Sequence, residues 1–243
     1  MKNLLTIIFF IAGLVLFVQM IQAKTVDEII SKYNLERGGE EGWLNIKSIY
    51  MEGVREMMGN MENIKIIKVQ ERLYRVDFEF FGKSGYTIIS PHKGWSYIPF
   101  HSDTVNAIPS EKLRVLNEEM DIGGPLLDYL VKGNKVKLEG KENINGSDAY
   151  KIVVTLKSES RIIYMIDVKS SRLVQTRRVN IHDDHYTGFA EPIEIITNYS
   201  NYKFVNGLLF PFLITSPGKE DGKTIISKIE LNINVPEHLN EPG

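Results

Sequence analysis

Alternation between apolar and polar residues runs through most of the chain from Lys47 onward, with the period of two that belongs to half-buried strands. The clearest example is Arg72 to Phe81, in which large apolar residues occupy alternate positions. Asn145-Gly146 and Asn206-Gly207 are typical of two-residue hairpin turns, because both turn positions tolerate positive φ. Roughly a dozen strands at about 8–12-residue spacing predict one antiparallel sheet, curved or rolled into a barrel.

Helical spacing interrupts the strand pattern in two places. Thr25 to Glu28 predicts a capping box that begins a helix, and the Gly38-Gly39 pair ends it. Ser110 to Met120 predicts a second helix, after which Gly123-Gly124-Pro125 breaks the pattern. Leu126 to Val131 predicts a further short helix that starts after this proline. The sequence therefore predicts a mainly β domain with a few helices.

The first residues predict an export signal. Leu4 to Ile21 is almost wholly apolar, Lys2 precedes it, and Gln22-Ala23 stands before a switch to polar sequence. This arrangement predicts a secretory signal peptide over residues 1–23, cleaved after Ala23, and one mature domain over residues 24–243. A retained N-terminal anchor is the alternative, because the apolar run is close to the shortest that can span a bilayer.

Charge and composition exclude several classes of function. Lysine and arginine number 29 against 31 aspartates and glutamates, so the basic surplus expected of a nucleic-acid-binding protein is absent. The cysteine count of zero excludes disulfides, thiolate metal sites and cysteine nucleophiles. Nucleophile-elbow, metalloprotease, phosphate-loop and dinucleotide motifs are also absent. We therefore predict no catalytic residue, no metal and no cofactor.

One cluster, His182-Asp183-Asp184-His185, carries groups that could hold a divalent metal or serve a hydrolase. It lies between two predicted strands, where paired aspartates are ordinary turn residues. On an extended backbone, residues three apart face opposite sides of the strand, so the two imidazoles would not converge. A hydrolase therefore stays the least favoured hypothesis.

An ordered series of short motifs resembles the outer-membrane lipoprotein-sorting family of the LolA-like kind. The motifs are Thr25-Val26-Asp27-Glu28-Ile29-Ile30, Gly38-Gly39, Trp43, Ile46-Lys47-Ser48-Ile49, Met51-Glu52-Gly53, Lys93-Gly94-Trp95, Gly124-Pro125-Leu126-Leu127-Asp128-Tyr129, Ala149-Tyr150-Lys151-Ile152, Asn198-Tyr199, Tyr202-Lys203, Val205-Asn206-Gly207-Leu208 and Phe210-Pro211. The resemblance implies an open half-barrel whose concave face is covered by helices. It also implies a cavity that holds acyl chains of lipoproteins, or other lipids, in transit across the periplasm.

A cavity of this kind needs apolar side chains on the inner face of the sheet, since burying each CH₂ group contributes about 0.8 kcal/mol. Strands that are apolar on both faces, such as Ala149 to Leu156, are expected to be covered on both sides. The candidates for the lipid cavity are Tyr74, Val76, Phe78, Phe80, Trp95, Ile152, Val154, Leu156, Ile229 and Leu231. An ordinary filled core explains the same pattern, and the resemblance favours the cavity.

A movable cover is the second part of this hypothesis. The candidate lid residues are Leu113, Leu116, Met120, Leu126, Leu127 and Leu130, with Gly123-Gly124 as a hinge. The alternative is a helix packed permanently on the sheet. At another hairpin tip, Met57, Met58 and Met61 could contact cargo or membrane, but residues tucked under the rim are the favoured interpretation.

Together these patterns predict a non-enzymatic periplasmic carrier for lipoprotein acyl chains or other lipids. Its expected partners are the lipid or lipoprotein itself and donor and acceptor proteins of the inner and outer membranes. The alternative hypothesis is a structural or interaction domain of the cell envelope with a filled core and no ligand.

Overall fold

A computed structural model describes residues 24–57, 59–99, 102–183, 190–217 and 222–242, and its regular elements are mainly strands. The strands are β1 (Ser48–Met57), β2 (Asn60–Val69), β3 (Leu73–Phe80), β4 (Lys83–Ser90), β5 (Lys93–Tyr97), β6 (Asn106–Ala107), β7 (Lys135–Ile144), β8 (Ser147–Thr155), β9 (Arg161–Asp167), β10 (Leu173–Asp183), β11 (Ala190–Val205), β12 (Leu208–Thr215) and β13 (Lys223–Leu231). The α-helices are α1 (Val26–Glu36), α2 (Glu40–Leu44) and α3 (Ser110–Leu116), and 3₁₀ turns follow at Asn117–Met120 and Glu237–Asn240. The predicted signal peptide, residues 1–23, lies outside the described residues.

The strands form a single antiparallel sheet in the order β6-β5-β4-β3-β2-β1-β13-β12-β11-β10-β9-β8-β7. Each half of the sheet is a simple meander, and the halves join where β1 pairs with β13. The two edges, β6 and β7, do not pair with each other, so the sheet stays an open half-barrel. This confirms the predicted mainly β, open antiparallel architecture.

The topology also explains how the sheet is covered. Strands β6 and β7 are consecutive in the chain but lie at opposite edges of the sheet. The chain between them, residues 108–134, therefore crosses from one edge to the other, and we call it the connector. It contains α3 and the 3₁₀ turn that follows it, and this turn contacts β2 and β3.

Two local predictions are confirmed and one is wrong. The Thr25 hydroxyl accepts from the backbone N–H of Glu28, and the Glu28 side chain accepts from the N–H of Thr25, as a capping box requires. Both residues of the Asn145-Gly146 and Asn206-Gly207 turns have positive φ. The short helix predicted over Leu126 to Val131 is instead a series of turns. The φ of +48° at Asp128 lies in the left-handed region, which ends a right-handed helix.

The face of the sheet that packs against α1, α2 and the connector is called the inner face. Ile29 and Ile30 of α1 share a buried cluster with Ile152 and Val154 of β8 and with residues of β9. On the other half, Trp43 of α2 belongs to a second cluster with residues of β1, β12 and β13. The helices thus cover different regions of one continuous inner face.

The outer face of β1 to β5 is covered by the C-terminal segment. Tyr50 alternates with inner-face residues along β1 and packs in a cluster that includes Trp95, Val235 and Leu239. The guanidinium of Arg75 donates to the carbonyl oxygen of Leu239 at 3.1 Å, which fixes this segment on the sheet. In the part of the chain that is described, no helix is long and apolar enough to span a bilayer.

A glycine allows the close approach of the two strands that join the halves. The register between β1 and β13 shifts between Glu52 and Gly53. A Cβ at Gly53 would lie 2.3 Å from the carbonyl oxygen of Ile225. Only a residue without a side chain fits this bulge.

Candidate functional site

A cavity of about 280 Å³ lies between the inner face of the sheet, helices α1 and α2, and the connector. Its volume is close to the lower end of the range of small-ligand sites, which begins at about 300 Å³. The apolar and aromatic residues that line it are Tyr33, Trp43, Ile49, Met51, Ile122, Leu173, Tyr199, Tyr202, Leu209, Phe210, Pro211, Ile214, Ile226 and Ile229. Gly123, Gly124, Ser171 and four charged residues, Glu36, Arg37, Lys68 and Arg172, complete the lining.

The end of α1 is held against the sheet by hydrogen bonds to a single carbonyl. The carbonyl oxygen of Arg37 accepts from the backbone N–H of Leu209 at 3.0 Å and from the indole N–H of Trp43 at 2.9 Å. Gly38 has a φ of +108°, and a Cβ there would lie 2.3 Å from the carbonyl oxygen of Gly207. The glycine therefore lets the helix end on the β11–β12 hairpin, which places Trp43 in the cavity wall.

Two tyrosines present their rings to the cavity because their hydroxyls are engaged elsewhere. The hydroxyl of Tyr202 donates to the carbonyl oxygen of Leu173, and the hydroxyl of Tyr199 shares a hydrogen bond with Thr176 at 3.1 Å. Burial raises the pKa of both tyrosines, so both are neutral. Their contribution to the cavity is therefore aromatic surface rather than charge.

Ion pairs compensate three of the four charged residues in the lining. The distance from Arg172 Nη2 to Glu36 Oε1 is 2.8 Å, and that from Lys68 Nζ to Oε2 of Glu119 on the connector is 3.0 Å. The fourth, Arg37, lies with its guanidinium carbon 4.4 Å from the centre of the Trp43 ring. Its Nη2 donates to the carbonyl oxygen of Gly123 at 2.8 Å.

The connector is attached to both halves of the sheet near the cavity. Glu118 pairs with Arg178 of β10 at 2.5 Å, and the backbone N–H of Ile122 donates to the Gln70 side chain at 2.9 Å. Lys68 holds the pKa of Glu119 below its ordinary value, although burial opposes this shift. Burial alone would lower the pKa of Arg178, but its pairing with Glu118 raises it. Glu119 and Arg178 are therefore charged at neutral pH, and their ion pairs with Lys68 and Glu118 hold the connector to the sheet.

The predicted cavity residues whose side chains the structure describes do not all lie at one site. Of the ten, Ile229 lines the cavity, and Leu231 packs in the cluster beside it. Three others, Ile152, Val154 and Leu156, are buried in the cluster that contains α1. The inner-face residues of β3 lie elsewhere on the sheet: Val76 and Phe78 are buried and Tyr74 is half-buried.

Of the remaining two predicted cavity residues, the structure places Trp95 away from this site. Trp95 lies on the outer face, in the cluster covered by Val235 and Leu239. Phe80 pairs with Lys83 through its backbone, and its side chain lies outside what the structure describes.

The predicted lid residues lie along the connector but have unequal environments. Leu113 and Met120 are buried and Leu116 is half-buried. Leu126 joins the cluster with α1, whereas Leu127 joins the cluster with Trp43. Leu130 is 74% exposed. Gly123 and Gly124, the predicted hinge, lie in the cavity wall.

No sequence pattern assigned Arg37, Tyr33 or most of the aromatic lining to a site. One signal was available, because many of the motifs that carry the family resemblance converge here. Trp43, Tyr199, Tyr202, Phe210 and Pro211 all belong to those motifs and all line the cavity.

The other candidate sites are less well suited to binding a ligand than this cavity. The backbone of His182 and Asp183 continues β10, while Asp184 and His185 lie outside the described residues. Among the described residues, no three metal-ligating side chains converge. At the hairpin tip Met61 is half-exposed, and Met58 lies outside the described residues. A second cavity of about 240 Å³ has a largely charged lining that includes Glu118 and Arg178.

Comparisons with solved structures show that this chain shares its fold with known proteins. No protein-family model matches the sequence, and no curated protein matches it. The structure is similar to that of the LolA superfamily protein NE2245 from Nitrosomonas europaea, with a TM-score of 0.56 and 13% identity over 90% of this chain and 99% of that one. It is also similar to a DUF1329 family protein from Desulfovibrio piger ATCC 29098, with a TM-score of 0.52 and 14% identity over 88% of this chain and 97% of that one. The chain therefore has a LolA-like fold.

Proposed function

We propose that this protein is a non-enzymatic binding protein of the bacterial periplasm that carries an acyl chain of a lipoprotein or another lipid. The observation that carries the proposal is the apolar cavity between the inner face and its helical cover. The LolA-like fold supports it, as does the sequence resemblance to the lipoprotein-sorting family. The export signal predicted over residues 1–23 supports the location.

The physical basis of binding is burial of hydrocarbon. An acyl chain that leaves water for an apolar cavity gains about 0.8 kcal/mol for each buried CH₂ group. The rings of Trp43, Tyr199 and Phe210 supply such a surface. No covalent step is needed, and transfer requires only an acceptor that holds the chain more tightly.

Loading requires that the cover open, because the connector lies across the inner face. Leu127 packs with Trp43, and Ile122 and the Gly123-Gly124 pair line the cavity. In this proposal the connector moves about the glycine pair and exposes the cavity. Of its two ion pairs with the sheet, that of Glu119 with Lys68 is the more exposed and costs less to break, and that of Glu118 with Arg178 is the more buried and costs more.

Titration with a neutral fluorescent probe, N-phenyl-1-naphthylamine, and its displacement by short-chain lipids tests the proposal. Ile229→Trp fills the cavity, and we expect it to weaken binding about tenfold or more. Val131→Trp is the matched control, because Val131 is 86% exposed on the connector. Its binding should equal that of the wild type. Thermal melting of both variants separates loss of the cavity from loss of the fold.

A structural or interaction domain without a ligand is the second candidate. Dense packing beneath α1 favours it, since Ile152 and Val154 are completely buried there. If this candidate is right, the wild type binds no probe at tens of micromolar, and protein purified from membranes carries no lipid in native mass spectrometry. Either result would reject the carrier proposal.

A further inference from the structure

Arg37 lies at the end of α1 and is only 8% exposed. Its guanidinium lies between two aromatic rings, 5.0 Å from the centre of Tyr33 and 4.4 Å from that of Trp43. All three residues line the cavity. The backbone carbonyl oxygen of Arg37 accepts hydrogen bonds from Leu209 and Trp43, and these fix the backbone at this position. The charge therefore has a defined place in a largely apolar wall.

No carboxylate pairs with Arg37 among the described residues. The neighbouring Glu36 is engaged by Arg172, and Lys68 on the same cavity is engaged by Glu119. The single hydrogen bond of the guanidinium goes from Nη2 to the Gly123 carbonyl, and the buried Nε–H has no partner among the described residues. A buried charge is costly unless it is paired, so the cavity has one positive charge to be compensated.

We propose that the cavity takes a single-chain amphiphile with a carboxylate head, and that Arg37 binds this head. The inference rests on the proposed function, because it names the class of lipid that the same cavity would hold. A carboxylate is compact enough for a cavity of about 280 Å³ and accepts two hydrogen bonds from an arginine. The apolar walls would then take the hydrocarbon chain, so the head and the chain would satisfy different parts of the lining.

Displacement of N-phenyl-1-naphthylamine by three ligands with the same ten-carbon chain tests this inference. The ligands are decanoate, 1-decanol and decyl phosphate. We expect the wild type to bind decanoate about tenfold more tightly than 1-decanol, because a hydrogen bond to a charged group contributes more than a neutral one. Decyl phosphate, with a larger head, should bind more weakly than decanoate.

Variants assign this preference to Arg37. Arg37→Met should bring decanoate and 1-decanol within about twofold of each other by weakening decanoate alone. Arg37→Lys should keep part of the preference, since it keeps the charge but not the fork of donors. Arg75→Met is the control, because Arg75 also lies over a tyrosine but pairs with Asp77 on the outer face. It should keep the full preference.

Stability gives a second measurement. Removing an uncompensated buried charge should leave the melting temperature of Arg37→Met unchanged or raised, and decanoate should raise it in the wild type more than 1-decanol does. Three results would overturn the inference without rejecting the proposed function. They are equal affinities of the wild type for decanoate and 1-decanol, a preference for decanoate that survives Arg37→Met, and tighter binding of decyl phosphate than of decanoate. Failure of the probe and all three ligands to bind would instead reject the proposed function itself.

Discussion

Glu118 and Glu119 are adjacent in sequence, yet their carboxylates bind opposite halves of the sheet. Glu118 pairs with Arg178 of β10, and Glu119 pairs with Lys68 of β2. These strands lie on either side of the central β1–β13 pair. Two consecutive side chains therefore hold the connector across the inner face.

The two ion pairs should differ in strength because they differ in exposure. The Glu118 side chain is 11% exposed and that of Glu119 is 42% exposed. Glu118→Gln should lower the free energy of unfolding by about 1–2 kcal/mol, since Arg178 loses a largely buried partner. Glu119→Gln should lower it by less than about 1 kcal/mol. Urea denaturation measures both, and an equal or reversed order would contradict the assignment.

A crosslink between the connector and the sheet tests whether the cover moves. The chain has no cysteine, so cysteines placed at Glu119 and Lys68 would be the only thiols present. Joining them with a short bis-maleimide should slow uptake of the fluorescent probe about tenfold or more compared with the same unlinked variant.

The control for this crosslink joins Glu79 and Ser84, facing residues of β3 and β4. That link constrains two strands which are already paired, so uptake should not change. Equal uptake by the linked and unlinked Glu119–Lys68 variant would mean that the connector is a fixed cover.

Asp167 should make stability depend on pH. Burial alone would raise its pKa, but hydrogen bonds from Ser147, Ser170 and Lys169 hold the pKa below the ordinary value of 3.8. A lowered folded-state pKa gives stabilisation that is complete above the ordinary value and is lost as pH falls through the folded value. Asp167→Asn should therefore cost about 1–3 kcal/mol at pH 7, and the difference from the wild type should shrink below pH 3.8.

Urea denaturation from pH 7 to pH 3 checks this, with the exposed Asp148 as the control. Asp148→Asn should change the free energy of unfolding by less than about 0.5 kcal/mol throughout. A constant difference between Asp167→Asn and the wild type over this range would contradict the proposed linkage.

Two glycine substitutions should differ in their effect on stability. Gly53→Ala places a Cβ against the carbonyl oxygen of Ile225 and should cost about 1–3 kcal/mol, because two backbones must separate. Gly42→Ala places a Cβ 2.7 Å from the end of the Leu208 side chain, which can move, and alanine favours helix α2. It should stay within about 1 kcal/mol of the wild type in thermal melting. Equal costs would mean that the bulge is not the constraint.

Local sequence patterns predicted the strands and the capping box, because both depend on neighbours in the chain. The run from Tyr74 to Phe78 alternates in the structure as it does in the sequence, with Val76 and Phe78 buried. Strand order could not be predicted in this way. It depends on long-range pairs such as that of Ile49 with Leu231, which the local alternation of residues does not predict.

The cavity was harder to predict than the sheet, because a void is what remains after distant elements have packed. Ile152 and Val154 were candidates for the cavity, but in the structure they pack in the cluster that contains α1. Arg37 gave no local signal, since its environment is formed by Trp43 and Gly123 from other elements.

The central position of β1 has a consequence for how the chain acquires its structure. Ser48 at the start of β1 donates to the carbonyl oxygen of Ile233, 185 residues further along. The early hairpins can form as soon as they are synthesised, but one edge of β1 stays unpaired until β13 pairs with it. Closing so long a loop is slow, so the nascent protein passes through an unfinished state in which that edge is open to mispairing.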